Sequence, residues 1–176
     1  NRTKRGTGFK VIGAVPNPSS ARYGGLTKTY VQLSVKELSN SLLCFLTKRK
    51  SPGVFIINLF STSENASEEI IGKLICGYMQ SRMLNTRFIM YGEDFNIEST
   101  QYLLAKSITD FYTLQGEDIL IVAYPPLSKI NIPTALLNDA NANILVSPAD
   151  RGWKTIDKQL CEPLITQMGK ANVPFR

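Results

Sequence analysis

The sequence predicts an α/β fold class, a three-layer α/β/α domain around a mostly parallel sheet. Short wholly apolar runs recur along the chain, and segments with helical apolar spacing separate them. Strands that are apolar on both faces need helices above and below, which is the arrangement that parallel βαβ crossovers produce. The 176 residues suit one domain, and 43% hydrophobic with 19% charged residues is an ordinary globular composition.

Residues 1–28 are basic and then rich in Gly, Pro and Ser around one apolar motif, KVIGAVP, which reads as a lead-in arm with a short extended element; residues 29–176 form the domain. From Thr29 to Leu46, apolar residues at 31, 35, 38, 42 and 45 mark a helix with one buried face, ended by Ser51-Pro52-Gly53. VFIIN (54–58) is the first strand, and residues 67–84 follow as a helix carrying Ile70, Ile71, Leu74, Ile75 and Met79. TRFIMYG (86–92) is the second strand and 98–114 the next helix, with Tyr102, Leu103, Ile108 and Phe111. DILIVAYPP (118–126) is a third strand stopped by two prolines, 133–140 a short helix, NILVS (143–147) a fourth strand and 153–169 a closing helix. No internal repeat is present.

The formal net charge is +6. The basic residues are scattered apart from NRTKRGTGFK and TKRK, without the aromatic interleaving of a nucleic-acid surface, so no nucleic-acid partner is expected. Histidine is absent, which removes His-based triads and the commonest metal ligand. Cys44, Cys76 and Cys161 are odd in number and far apart in helix-like contexts, which predicts buried reduced thiols and no metal site. No apolar run approaches the ~20 residues of a membrane-spanning helix. The chain lacks a starting Met and stops at VPFR, so the expectation is a piece of a longer protein.

In parallel sheets ligands sit at the carboxyl ends of the strands, which singles out LFSTSENASE, GEDFN, AYPPLS and SPADRG. The first of these sits where many α/β proteins hold a phosphate, yet it has no glycine and no lysine. Those residues normally let the backbone aim its amides at a phosphate and bring a charge to the outer phosphates.

The order of KVIGAVP, a long helix, VFIINLFSTSENASEEI, TRFIMYGEDF and EDILIVAYPP resembles the cytoplasmic P-loop tyrosine-kinase domain of bacterial polysaccharide co-polymerases, the chain-length regulators of capsule, exopolysaccharide and lipopolysaccharide export. The likeness spans nearly the whole chain and rests on order and spacing more than on identical motifs. It implies a Rossmann-like P-loop topology. Aligned with the family's VILVTSAQPGEGKST, Ser63 and Asn65 stand at loop glycines, Ala66 at the lysine and Ser67 at the magnesium-binding hydroxyl, while Glu64 keeps its type. Against LLIDADLR, Gly92 stands at the first aspartate and Asp94 at the second; against VIIDTPP, Pro125 and Pro126 remain while Ala123 replaces the metal-organising aspartate. Three elements of one Mg-ATP site are altered together. The resemblance therefore implies a degenerate nucleotide site at Ser63, Glu64, Asn65, Ala66, Ser67 and Asp94, with no catalytic residue and no cofactor.

Ser67 also reads as a helix N-cap with Glu68 and Glu69 favourably placed for the helix dipole, and Asp94 as a solvated turn acid. Asp150, Arg151 and Trp153 form a cluster in the last loop, where Arg151 could touch an anion or the segment could simply start a helix. The family's E-x-x-R-x-x-R pattern in the first helix is reduced to Lys36, and the given sequence stops before the place of the family's tyrosine-rich tail.

The implied role is regulation of chain length or export through protein partners, namely polysaccharide export or polymerase proteins and the chain's own periplasmic and transmembrane regions, at the cytoplasmic face of the inner membrane. Arg2, Lys4, Arg5 and Lys10 suit a membrane-proximal stretch in contact with anionic lipid. Homo-oligomerisation is a further expectation. Two other readings stay open: a working ATPase or tyrosine kinase in which Lys73 or Lys129 replaces the missing lysine, and a flavodoxin-like flavin module. The latter would use Ser61, Ser63 and Asn65 on the phosphate, with Glu64 where its glycine belongs and Tyr91 or Trp153 beside the flavin.

Overall fold

The computed structural model describes residues 12–16, 26–46, 53–62, 68–130, 132–148 and 154–171. Four strands, β1 (Phe55–Phe60), β2 (Thr86–Met90), β3 (Ile119–Ala123) and β4 (Ala142–Leu145), form one sheet in the order β2-β3-β1-β4, and every pairing is parallel. Ile57 sits opposite both Ile121 and Ala142, so β1 is central.

One face of the sheet carries α1 (Thr27–Leu46) and α2 (Glu68–Ser81). Leu38 and Leu42 of α1 and Ile75, Cys76 and Met79 of α2 pack on Phe55, Ile57, Leu59, Ile119 and Ile121. The spacing expected for α1 is met, since Val31, Val35, Leu38 and Leu42 are all buried. Ile12 and Val15 of the arm pack against the same cluster. The other face carries α3 (Thr100–Leu103), a 3-10 turn (Ile108–Asp110), α4 (Thr134–Asp139) and α5 (Thr155–Ala171). Tyr102, Ile108, Leu136, Leu137, Cys161 and Leu164 there meet Ile56, Phe60, Leu120 and Val122. The alternation of side chains along β1 feeds both cores, as a strand buried on both sides requires.

Two expectations are corrected. The helix expected over 98–114 is only the single turn α3 and the 3-10 turn. Carboxylates take the amides that a continuous helix would bond to its own carbonyls. Lys106 and Ser107 N–H donate to Asp110 Oδ2 at 2.7 and 3.1 Å, and Ile108 N–H donates to Asp139 Oδ2 at 3.1 Å. Those amides, Lys106 first, hold the Asp110 carboxyl below the usual carboxylate range. Tyr102 and Ile108 still reach the core, whereas Leu103 is 52% exposed. The second correction concerns Cys44, which is exposed; Cys76 and Cys161 are buried, and all three thiols are free.

Chain direction around β1 positions the site. β1 leads into α2 on one face, while its neighbour β3 leads into α4 on the other, so the switch point of the sheet, where parallel sheets offer a ligand crevice, lies between their carboxyl ends.

Candidate functional site

The β3 side of this crevice is apolar. Ala123 is fully buried at the strand end, and Tyr124, Pro125, Pro126 and Leu127 behind it are buried as well. Burial pushes the Tyr124 hydroxyl well above its ordinary value, so it stays protonated. The two sides are laced together by backbone hydrogen bonds that continue the parallel ladder: Tyr124 N–H to the Leu59 carbonyl at 3.0 Å, and Leu127 N–H to the Ser61 carbonyl at 2.8 Å.

On the β1 side, Ser61 and Thr62 end the strand and are buried. Ser63, Glu64, Asn65, Ala66 and Ser67 lie outside the described residues. The chain returns at Glu68, whose side chain is only 7% exposed, and the Ser61 hydroxyl donates to Glu68 Oε1 at 3.2 Å. Burial raises the Glu68 carboxyl above its usual range, opposed by its own backbone amide and the Ser61 hydroxyl. The other carboxylate oxygen, Oε2, is buried without a hydrogen-bond partner.

That shift has a definite pH signature. A carboxyl raised in the folded state binds its proton more tightly there than in the unfolded chain, so it destabilises the fold once ionised. The penalty is absent below the ordinary carboxylate value, grows as pH rises through the raised value and is constant above it. Glu68→Gln is therefore expected to melt progressively higher than the parent as pH rises through that window, with little difference in acid. Melting curves of both proteins across pH check this, and a difference that stays flat would remove Glu68 as the buried titrating group.

Among the described residues, the others singled out from the sequence are exposed or locally paired. Asp94 is exposed in the turn after β2, where its Oδ2 accepts the Met90 amide at 2.9 Å and its own N–H donates to the Met90 carbonyl. Gly92, with φ +80°, permits that turn. Lys73 is exposed and paired with Glu69 at 2.6 Å, an i,i+4 contact on the outer face of α2. Lys129 is exposed beyond β3, and Lys36 is exposed on α1. Tyr91 makes a backbone bridge with Phe95. Arg2, Lys4, Arg5 and Lys10, and likewise Asp150, Arg151 and Trp153, lie outside the described residues. Among the described residues no group of three or more metal-ligating side chains exists, and no helix is long and apolar enough to cross a membrane.

Glu68 and Ser61 are the pair that sequence reasoning did not bring together. The available signal was their spacing, one at the end of an apolar strand and the other seven residues on at a helix start.

No protein-family model and no curated protein matches the chain. Two solved structures match its fold over nearly its full length. The kinase domain of the Escherichia coli tyrosine kinase ETK superposes with a TM-score of 0.64 at 9% identity, covering 99% of this chain and 90% of that one. The chimerical protein CapA2B2 superposes with a TM-score of 0.62 at 11% identity, covering 98% of this chain and 94% of that one. The chain thus has a three-layer α/β/α fold like that of the ETK kinase domain.

Proposed function

We propose that this chain is a catalytically degenerate member of the bacterial tyrosine-kinase-like domains, and that it regulates polysaccharide chain length or export by contacting partner proteins at the inner membrane. The observation that carries the reading is Ala123. In the family that the sequence resembles, the end of this strand is where an aspartate would organise the metal, and here a fully buried alanine stands, followed by Tyr124 and two prolines. An apolar wall can neither hold magnesium nor neutralise charge on a transferring phosphoryl group, which is most of what such a site contributes to catalysis. Ala66 at the lysine position adds to this, since the principal positive charge on the outer phosphates is missing.

The test is isothermal titration of the purified chain with Mg-ATP and Mg-ADP, with a visible spectrum of the same sample. No heat at near-millimolar nucleotide and no flavin absorbance are expected. Micromolar, magnesium-dependent binding would reinstate the working-enzyme reading, and a yellow protein the flavin module.

A further inference from the structure

Among the described residues β2 pairs with β3 alone, so it forms one edge of the sheet. An edge strand presents a row of backbone amides and carbonyls on which another extended chain can build. Which residues present them follows from the ladder, since in a parallel pair alternate residues turn both groups to the same neighbour. The Ile119 N–H donates to the Asn85 carbonyl at 3.1 Å, and the Tyr91 N–H to the Ala123 carbonyl at 3.2 Å. Residues 85, 87, 89 and 91 therefore face β3, and the backbone groups of Thr86, Phe88 and Met90 face outward.

Those outward groups are met by the chain itself. Cys76 and Gln80, one turn apart on α2, both donate to the Thr86 carbonyl, from Sγ at 3.6 Å and from Nε2 at 2.9 Å. Burial raises the Cys76 thiol, opposed by a backbone hydrogen bond from Phe88. The thiol thus takes the carbonyl of Thr86 and the amide two residues on, the pair that one residue of an added parallel strand would take. Gly72 lets α2 come this close to β2, since an added Cβ there would lie 2.2 Å from Phe88 Cε2. At the far end of the strand, Asp94 Oδ2 accepts the Met90 amide and the Asp94 N–H donates to the Met90 carbonyl, both at 2.9 Å.

We propose that Cys76, Gln80 and Asp94 close the β2 edge against strand addition, so that a second copy of this chain cannot extend the sheet from β2 while they are in place. The inference gives Asp94 a task that involves no nucleotide, and it stands whichever way the nucleotide titration falls. Assembly of copies is left to surfaces other than this edge.

The experiment compares the parent chain with the double variant Gln80→Ala, Asp94→Ala and with the triple variant that adds Cys76→Ala, each checked for folding by circular dichroism. Sedimentation velocity over a range of protein concentrations reads association, and amide hydrogen exchange at Phe88 and Met90 reads where it occurs. Expected is association of the triple variant at a concentration at least about tenfold below that of the parent, with the double variant moved in the same direction. The Phe88 and Met90 amides of the variants should exchange more slowly as concentration rises. If the triple variant does not fold, the double variant, in which only two exposed side chains are cut back, decides alone. Folded variants with the parent's concentration dependence overturn the proposal, and so does association that leaves exchange at Phe88 and Met90 unchanged.

Discussion

Asn58→Ala is expected to lower the unfolding free energy by about 2–4 kcal/mol, the combined effect of orphaning buried polar groups and opening a small void. Asn58 lies in the middle of β1 in register with Asn143 of β4, and both are fully buried. The Asn58 amide nitrogen donates to Asn143 Oδ1 at 3.0 Å and to the Leu136 carbonyl at 3.1 Å, while the Asn143 amide donates to the Leu137 carbonyl at 2.9 Å. The Leu136 and Leu137 carbonyls belong to α4, so the two asparagines fasten that short helix to the sheet. Removing one leaves its partner and a helix carbonyl without a donor in a place water does not reach. Urea denaturation should show a lower midpoint at unchanged slope, because stability changes while the surface exposed on unfolding does not. The double replacement with Asn143→Ala should be less harmful than the sum, by about 0.5–3 kcal/mol, since the pair shares one hydrogen bond. Strict additivity would mean that the two side chains do not act together.

The second large effect separates two glycines of α2. An added Cβ at Gly72 would lie 2.2 Å from Phe88 Cε2 and 3.1 Å from Leu59 Cδ1, whereas at Gly77 it would meet nothing within 4 Å. Alanine in place of a mid-helix glycine ordinarily stabilises by about 0.5–1 kcal/mol, because less backbone entropy is lost on folding. Gly77→Ala should therefore stabilise by about that amount. Gly72→Ala should instead destabilise by about 1–3 kcal/mol, the range for overfilling a packed contact, because Leu59 is fully buried and cannot yield even if Phe88 turns. Reducing the obstacle with Phe88→Leu should recover part of the loss. Chemical denaturation of the variants measures all of this, and equal gains from alanine at both glycines would show that α2 does not approach β2 as closely as described.

The order of elements was legible because it depends on local pattern. VFII, FIM, ILIVA and IL are apolar on consecutive residues, as a strand covered on both sides requires, and the spacing of Val31, Val35, Leu38 and Leu42 is that of a helix with one buried face. The segment 98–114 misled for the same reason that the others informed. Its apolar spacing is helical, but Asp110 and Asp139 capture its amides, and Asp139 comes from a helix far along the chain. Cys44 sits in an apolar run and is nevertheless exposed, since burial depends on which face of α1 meets the sheet. At the site, the alanine at position 123 and the absence of glycine and lysine from LFSTSENASE could be read directly from residue identity.

By itself the sequence determined the α/β class and the succession of most strands and helices, because each is a matter of residue type and spacing along the chain. Only the tertiary structure decided that Glu68 turns under the strand end to Ser61, that Asp94 closes a turn on Met90, and that Asn58 and Asn143 face one another. Those outcomes depend on which side chains the strand order β2-β3-β1-β4 brings together and which it shields from water, and neither is a local property of the chain.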